Sequence, residues 1–214
     1  MPPTWGGARR GAGRPRIAGR RPPVAHRRRS PHVSRFPVHV TLRAIAGLGT
    51  LRASHVFEGI REALRAATSD RLRVIHFSVQ DDHIHIIAEA SEGDAMSLGL
   101  RGLVVRVARA VNKALRRKGP VWGDRYHAHD LRSPSETRTA LLYVLQNWKK
   151  HIRGTRGIDE RSSGLWFDGW ASKREWQALS PCPVAAPRTW LAARGWRDKG
   201  GGPLRLDEGP ARGG

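Results

Sequence analysis

The 214-residue sequence contains one cysteine, Cys182, which excludes an intramolecular disulfide and a cysteine metal cluster and suits a reducing compartment. No run approaches the roughly 18 consecutive apolar residues that a membrane-spanning helix requires, so no transmembrane helix is expected. The N-terminus has no apolar segment of the kind a secretory signal needs. Its Gly and Pro content and few serines also argue against a mitochondrial presequence, and the cytoplasm is the expected location. Acidic residues are scarce: Lys and Arg number 39 against 18 Asp and Glu, a formal charge of +21 with a pI near 11.7. Such a balance favours a polyanionic partner, nucleic acid first.

Residues 1–35 have no Asp or Glu but ten arginines among many Gly and Pro, too little apolar surface to fold alone. They are expected to be a disordered basic arm. Within it "GRPR", Gly13 to Arg16, resembles the core of an AT-hook, whose arginines answer the potential of a narrow minor groove. A generic phosphate-binding tail fits the same residues.

From Pro37 the pattern changes. "PVHVTLRAI" alternates Val38, Val40 and Leu42 with His39, Thr41 and Arg43, the period of a half-buried strand. Phe57, Ile60, Leu64 and Ala67 recur at helical spacing after Ser54, which is placed to cap. "RLRVIHFSV" and "HIHIIAEA" read as two strands around Gln80-Asp81-Asp82, a hairpin turn. Residues 94–118 form a second helix with a basic outer surface. A short strand is expected near Tyr126 to Leu131. A third helix then starts at Ser133-Pro134, with Glu136 closing a capping box, and runs to about Ile152. The order β-α-β-β-α-β plus a helix predicts an α+β, ferredoxin-like antiparallel sheet over residues 36–153. Residues 154–214, rich in Trp, Gly and Pro, read as a partly disordered extension. Its tryptophans suit either packing on the core or base stacking.

Side chains two apart on a strand point the same way at about 6.6 Å, so His83 and His85 share a face and could converge on one metal ion. A polar sheet face with two hydrogen-bonded histidines fits that spacing as well. His127-x-His129 is a second such pair, with a DNA-facing or edge-strand role as its alternative. On the third helix, Leu141, Leu145, Trp148 and Ile152 form an apolar stripe, which puts Tyr143, Asn147 and Lys150 on the other side.

Taken together, "HVTLR", "HFSVQDDHIHIIAEA", "VWGDRYHAHDL" and "ALLYVLQN" resemble, in order and spacing, the single-tyrosine His-hydrophobic-His (HUH) transposases, most closely the REP-associated tyrosine transposase branch. The resemblance spans about residues 35–152. It implies a DNA strand transferase acting on single-stranded, hairpin-bearing DNA through a 5′-phosphotyrosine. Tyr143 would be the nucleophile, and His83, His85 and Asn147 would hold a divalent metal, Mg2+ or Mn2+. Two imidazoles suit Mn2+ better. A bacterial, nucleoid-associated protein, monomer or homodimer, would follow. Candidate DNA contacts are Arg14, Arg16, Arg43, Arg125 and Lys150, the last also a cation to favour the phenolate. Past Asn147 the chain departs from the family's usual proline and small-residue turn, with Trp148, Lys149, Lys150 and His151 instead. An inactive, domesticated hairpin DNA-binding or RNA-binding protein on the same scaffold is the alternative. The RNA version lacks the aromatic signature of an RNA recognition motif.

Overall fold

The computed structural model describes residues 32–91, 94–150, 157–172 and 181–210. Strand β1 (Val38–Arg43) alternates buried and half-buried positions as its sequence alternates apolar and polar residues. It occupies the middle of a four-stranded antiparallel sheet between β3 (His83–Ala90) and β4 (His127–Asp130), and β2 (Leu72–Val79) pairs with the outer side of β3. The strand order β2-β3-β1-β4 and the element order give the α+β, ferredoxin-like sheet expected from the sequence.

The two sheet faces carry different cores. Val38, Val40 and Leu42 of β1 and Ile84, Ile86 and Ala88 of β3 pack under α1 (Ser54–Ala67) and α2 (Ala95–Ala114). The opposite face holds Ile75 and Ile87 beneath α3 (Pro134–Gln146). A register shift between Val74 and His76 places Ile75 on this second face while Phe77 returns to the first, the redirection a β-bulge gives a strand.

The hairpin turn is closed by the Gln80 backbone N–H, which donates to His83 O (2.8 Å), while Asp81 Oδ1 accepts from the Thr50 hydroxyl (2.5 Å). Several boundaries differ from expectation. Ala53, not Ser54, holds the N-cap position of α1 and offers no side-chain cap; the Ser54 hydroxyl instead accepts from Arg161 Nη2 (3.0 Å). Helix α2 stops at Ala114, short of residue 118, because Arg116 takes a left-handed backbone (φ 50°). At α3, Ser133 Oγ accepts from the Glu136 amide (3.2 Å) and Pro134 follows it. The Glu136 carboxylate accepts from the Arg132 amide (2.7 Å) and is also hydrogen-bonded to the Ser133 backbone, the reciprocal bond of the capping box. The helix ends at Gln146 and tightens into a 3-10 turn, Asn147–Lys150; residues 151–156, including Ile152, lie outside the described residues.

Residues 157–172 and 181–210 share the second core with the sheet. Phe167, Trp170, Ala192, Trp196 and Leu204 pack with Leu141, Val144 and Leu145 of α3. Trp170 and Trp196 are therefore anchors, whereas Trp190 is exposed and Trp176 lies outside the described residues. Because these segments also cover α3, its buried positions (Thr137, Ala140, Leu141, Val144, Leu145 and Gln146) spread well beyond the single stripe its sequence suggests. The edge of β2 is covered too: Val79 N donates to Arg161 O and Ala185 N to Val74 O, both at 2.8 Å, which removes a template for pairing with other chains. Arg52 makes a two-pronged ion pair with buried Asp159 (2.8 and 2.9 Å) and also reaches Val79 O. Arg138 Nη2 donates to both carboxylate oxygens of Glu208 (2.9 Å each).

Candidate active site

The polar positions of the central strands converge on the face covered by α3. Register pairs Thr41 with His85, Arg43 with His83, His39 with His129 and Thr41 with His127. His83 and His85 do share a face. Their ring centroids lie 4.7 Å apart, edge to face, His85 being 3% exposed and His83 partly open.

The Nδ1 atoms of both rings have protein partners. His83 Nδ1 lies 2.6 Å from Asp82 Oδ1, and Asp82 in turn accepts from Arg43 Nη2 (3.1 Å). The hydrogen bond from His83, with Arg43 assisting, holds the Asp82 carboxyl below its ordinary range. His85 Nδ1 lies 3.2 Å from both His39 Nε2 and Thr41 Oγ1. Engagement of Nδ1 leaves Nε2 of each ring as the nitrogen for a metal, as in histidines that bind metals through Nε2.

Tyr143 meets this pair. Its ring centroid is 4.9 Å from that of His85 and 5.7 Å from that of His39, both nearly edge to face. The expectation that Tyr143 lies outside the core stripe of α3 is modified: it is half-buried and packs on the second core's margin. Burial pushes its phenol above the ordinary value of 10. Asn147 opens the 3-10 turn one helical turn beyond. It is 2% exposed, and its Nδ2 has no hydrogen-bond partner among the described residues.

His39 is the residue that sequence reasoning passed over as the polar half of a strand. Burial above all, with the charges of His127 and His129 adding to it, lowers its pKa to about 4. It is therefore a neutral ring throughout the physiological range, able to accept from His85. The signal was its place in β1, but only the β1–β3 register reveals which ring it touches.

The second pair lies on the neighbouring strand β4, opposite Thr41 and His39. His127 is exposed, and His129 Nε2 sits 2.5 Å from Glu136 Oε1, so this ring ties β4 to the first turn of α3. Among the described residues no group of three or more His, Cys, Asp or Glu is placed to hold a metal. A divalent ion here would thus rest on His83, His85 and a neutral amide. Those residues fit such an ion in donor type: two imidazoles with engaged Nδ1 atoms, and the side-chain amide of buried Asn147. They do not fit a structural zinc, which requires four closed positions.

Of the other candidates, Arg43 lies beside His83 and is exposed, and Arg125 is exposed at the loop before β4. Lys150 ends the 3-10 turn, its side chain outside what is described, as are Arg14 and Arg16. Among the described residues no helix is long and apolar enough to cross a membrane.

No family model matches the sequence, nor does any curated protein. Solved structures do. One is a REP-associated tyrosine transposase bound to a REP hairpin, 21% identical, covering 62% of this chain and 78% of that one at a TM-score of 0.50. Another is a bacterial tRNA(His) guanylyltransferase (Thg1)-like protein in complex with GTP, 14% identical, covering 54% and 62% at a TM-score of 0.41. The first shares the fold of this chain, and it is of the kind that the sequence motifs resemble.

Proposed function

We propose that this protein nicks and rejoins single-stranded, hairpin-bearing DNA, with Tyr143 as nucleophile and with His83, His85 and Asn147 holding a divalent ion, Mg2+ or Mn2+. The observation that carries the reading is the contact of the Tyr143 ring with His85, whose own ring adjoins that of His83. A nucleophile and a pair of metal-capable imidazoles, drawn from separate elements, meet on one face of the sheet. The fold shared with a hairpin-bound transposase supports a DNA hairpin as partner.

In this reading the Tyr143 oxygen forms a bond to the scissile phosphorus as the bond to the preceding nucleotide's 3′ oxygen breaks. The phenol's proton passes to solvent, and the 3′ oxygen leaves as a hydroxyl. The 5′-phosphotyrosine conserves the bond energy, so the 3′-hydroxyl can reverse the step without a nucleotide cofactor. What a bound divalent cation supplies is charge to neutralise the phosphate and to favour the ionised phenol that burial disfavours. His39 and Thr41 orient His85, and Asp82 orients His83. Arg43, exposed beside Asp82, is placed to meet a phosphate of the incoming strand.

The test is cleavage of an end-labelled hairpin with single-stranded flanks, taken from repeats bordering the protein's own gene, with Mn2+ or Mg2+. Site-specific nicking that is lost in Tyr143→Phe and with EDTA is expected. Tight hairpin binding without nicking under either metal would overturn the enzymatic reading in favour of a binding protein.

A further inference from the structure

The face of the sheet opposite Tyr143 carries a second feature, unused by the chemistry above. Between Asp94 and Asp124 the chain has no acidic residue but seven cations: Arg101, Arg106, Arg109, Lys113, Arg116, Arg117 and Lys118. All but Arg117 are exposed. Among the described residues none of the seven has an ion-pair partner, whereas exposed arginines elsewhere, such as Arg65, Arg188 and Arg205, are paired with carboxylates. At 100° per residue, the four on α2 (Arg101, Arg106, Arg109 and Lys113) fall within an arc of about 140° and span about 18 Å along the axis.

The rest of that surface suits close approach by a backbone. Gly102 lies within the arc, and a Cβ built on it would meet no atom within 4 Å. Beside the arc, α1 and α2 enclose a groove of about 500 Å3 lined by small residues such as Gly59, Ala63, Ala110 and Ala114, with Arg106 and Lys113 contributed by α2 and Glu62, already paired with Arg65, by α1. Leu98 and Val105 are 62% and 45% exposed. No aromatic residue occurs in α2, so this helix offers no platform for stacking unpaired bases, the usual means of holding a single strand. Unpaired cations without stacking rings match phosphates held at a fixed spacing.

We propose that the outer face of α2 is a second nucleic-acid surface that docks duplex DNA through its phosphate backbone, on the side of the sheet away from Tyr143. The protein would then hold a base-paired segment on one face and act on an unpaired strand on the other. The duplex surface does not depend on the Tyr143 chemistry.

The experiment uses the full chain with Arg101, Arg106, Arg109 and Lys113 all changed to Gln. A control carries four changes of equal charge at paired surface arginines: Arg65→Gln, Arg188→Gln, Arg194→Gln and Arg205→Gln. Affinity for a blunt duplex is measured from 50 to 200 mM salt, beside hairpin nicking and circular dichroism. Each phosphate contact contributes a slope of about 0.9 in log affinity against log salt. The wild type should therefore lose about 100-fold more duplex affinity over this range than the α2 variant, and the control should behave as wild type. Equal slopes for wild type and α2 variant, or an equal loss in the control, would overturn the proposal and leave α2 a solvated face. Absence of nicking in all three proteins, with the α2-specific loss of duplex binding intact, would reject the Tyr143 chemistry alone.

Discussion

His76 lies wholly inside the second core, its ring 5.1 Å from that of Phe167 and its Nδ1 3.3 Å from Ser163 Oγ. Burial lowers its pKa from 6.5 to about 4, which makes it a probe of that core. In the unfolded chain the ring takes up a proton near pH 6.5, and in the folded chain only near pH 4. The unfolded state therefore binds more protons between these values, and stability falls as pH falls. The contribution is fully present above about pH 6.5 and is lost by about pH 4, a loss of about 3 kcal/mol at 1.36 kcal/mol per pH unit. At pH 5 about 2 kcal/mol is already gone, or roughly 4–8 °C in Tm for a chain of this size. His76→Phe removes the proton site and keeps an aromatic ring. Ser163 Oγ retains the Phe77 amide as donor (3.0 Å). Thermal unfolding at pH 7.5 and pH 5.0 should show the variant losing 4–8 °C less than the wild type. Equal losses would refute the burial of His76 as a neutral group.

Other expectations follow from single contacts. Arg52→Ala leaves buried Asp159 without its cation and should cost about 3–5 kcal/mol in urea unfolding. Gly99→Ala in α2 puts a Cβ at 2.6 Å from Leu72 Cβ; overpacking of about 1–3 kcal/mol should outweigh the gain of up to about 1 kcal/mol in helix propensity, giving a net loss. His39→Phe removes one partner of His85 Nδ1, and titration calorimetry with Mn2+ should find affinity about 10–100-fold weaker. His129→Ala, by contrast, removes only an exposed contact to Glu136 and should leave Mn2+ binding unchanged.

The sheet was legible because β1 alternates cleanly, and the strand period places His83 and His85 on one face of β3 before any fold is known. Tyr143 was legible from motif spacing. His39 and Thr41 were not, since their role exists only through the cross-strand register that sets both against His85. His129 likewise has no evident use in sequence, and gains one only when α3 brings Glu136 to it. The C-terminal segments lack periodicity because irregular turns, fastened by Arg52, Arg138 and buried Trp170 and Trp196, pack them onto the core. Where α1 starts was decided by a tertiary contact, Arg161 drawing off the Ser54 hydroxyl.

The central claim is that Tyr143 becomes covalently joined to DNA. The most direct measurement is mass spectrometry of the denatured, protease-digested protein after incubation with its hairpin substrate and Mn2+. A nucleotide adduct on the peptide bearing Tyr143, absent from His83→Ala/His85→Ala and with EDTA, is the expected result. A digest with Tyr143 unmodified while the DNA is cleaved, or an adduct on another residue, would contradict it.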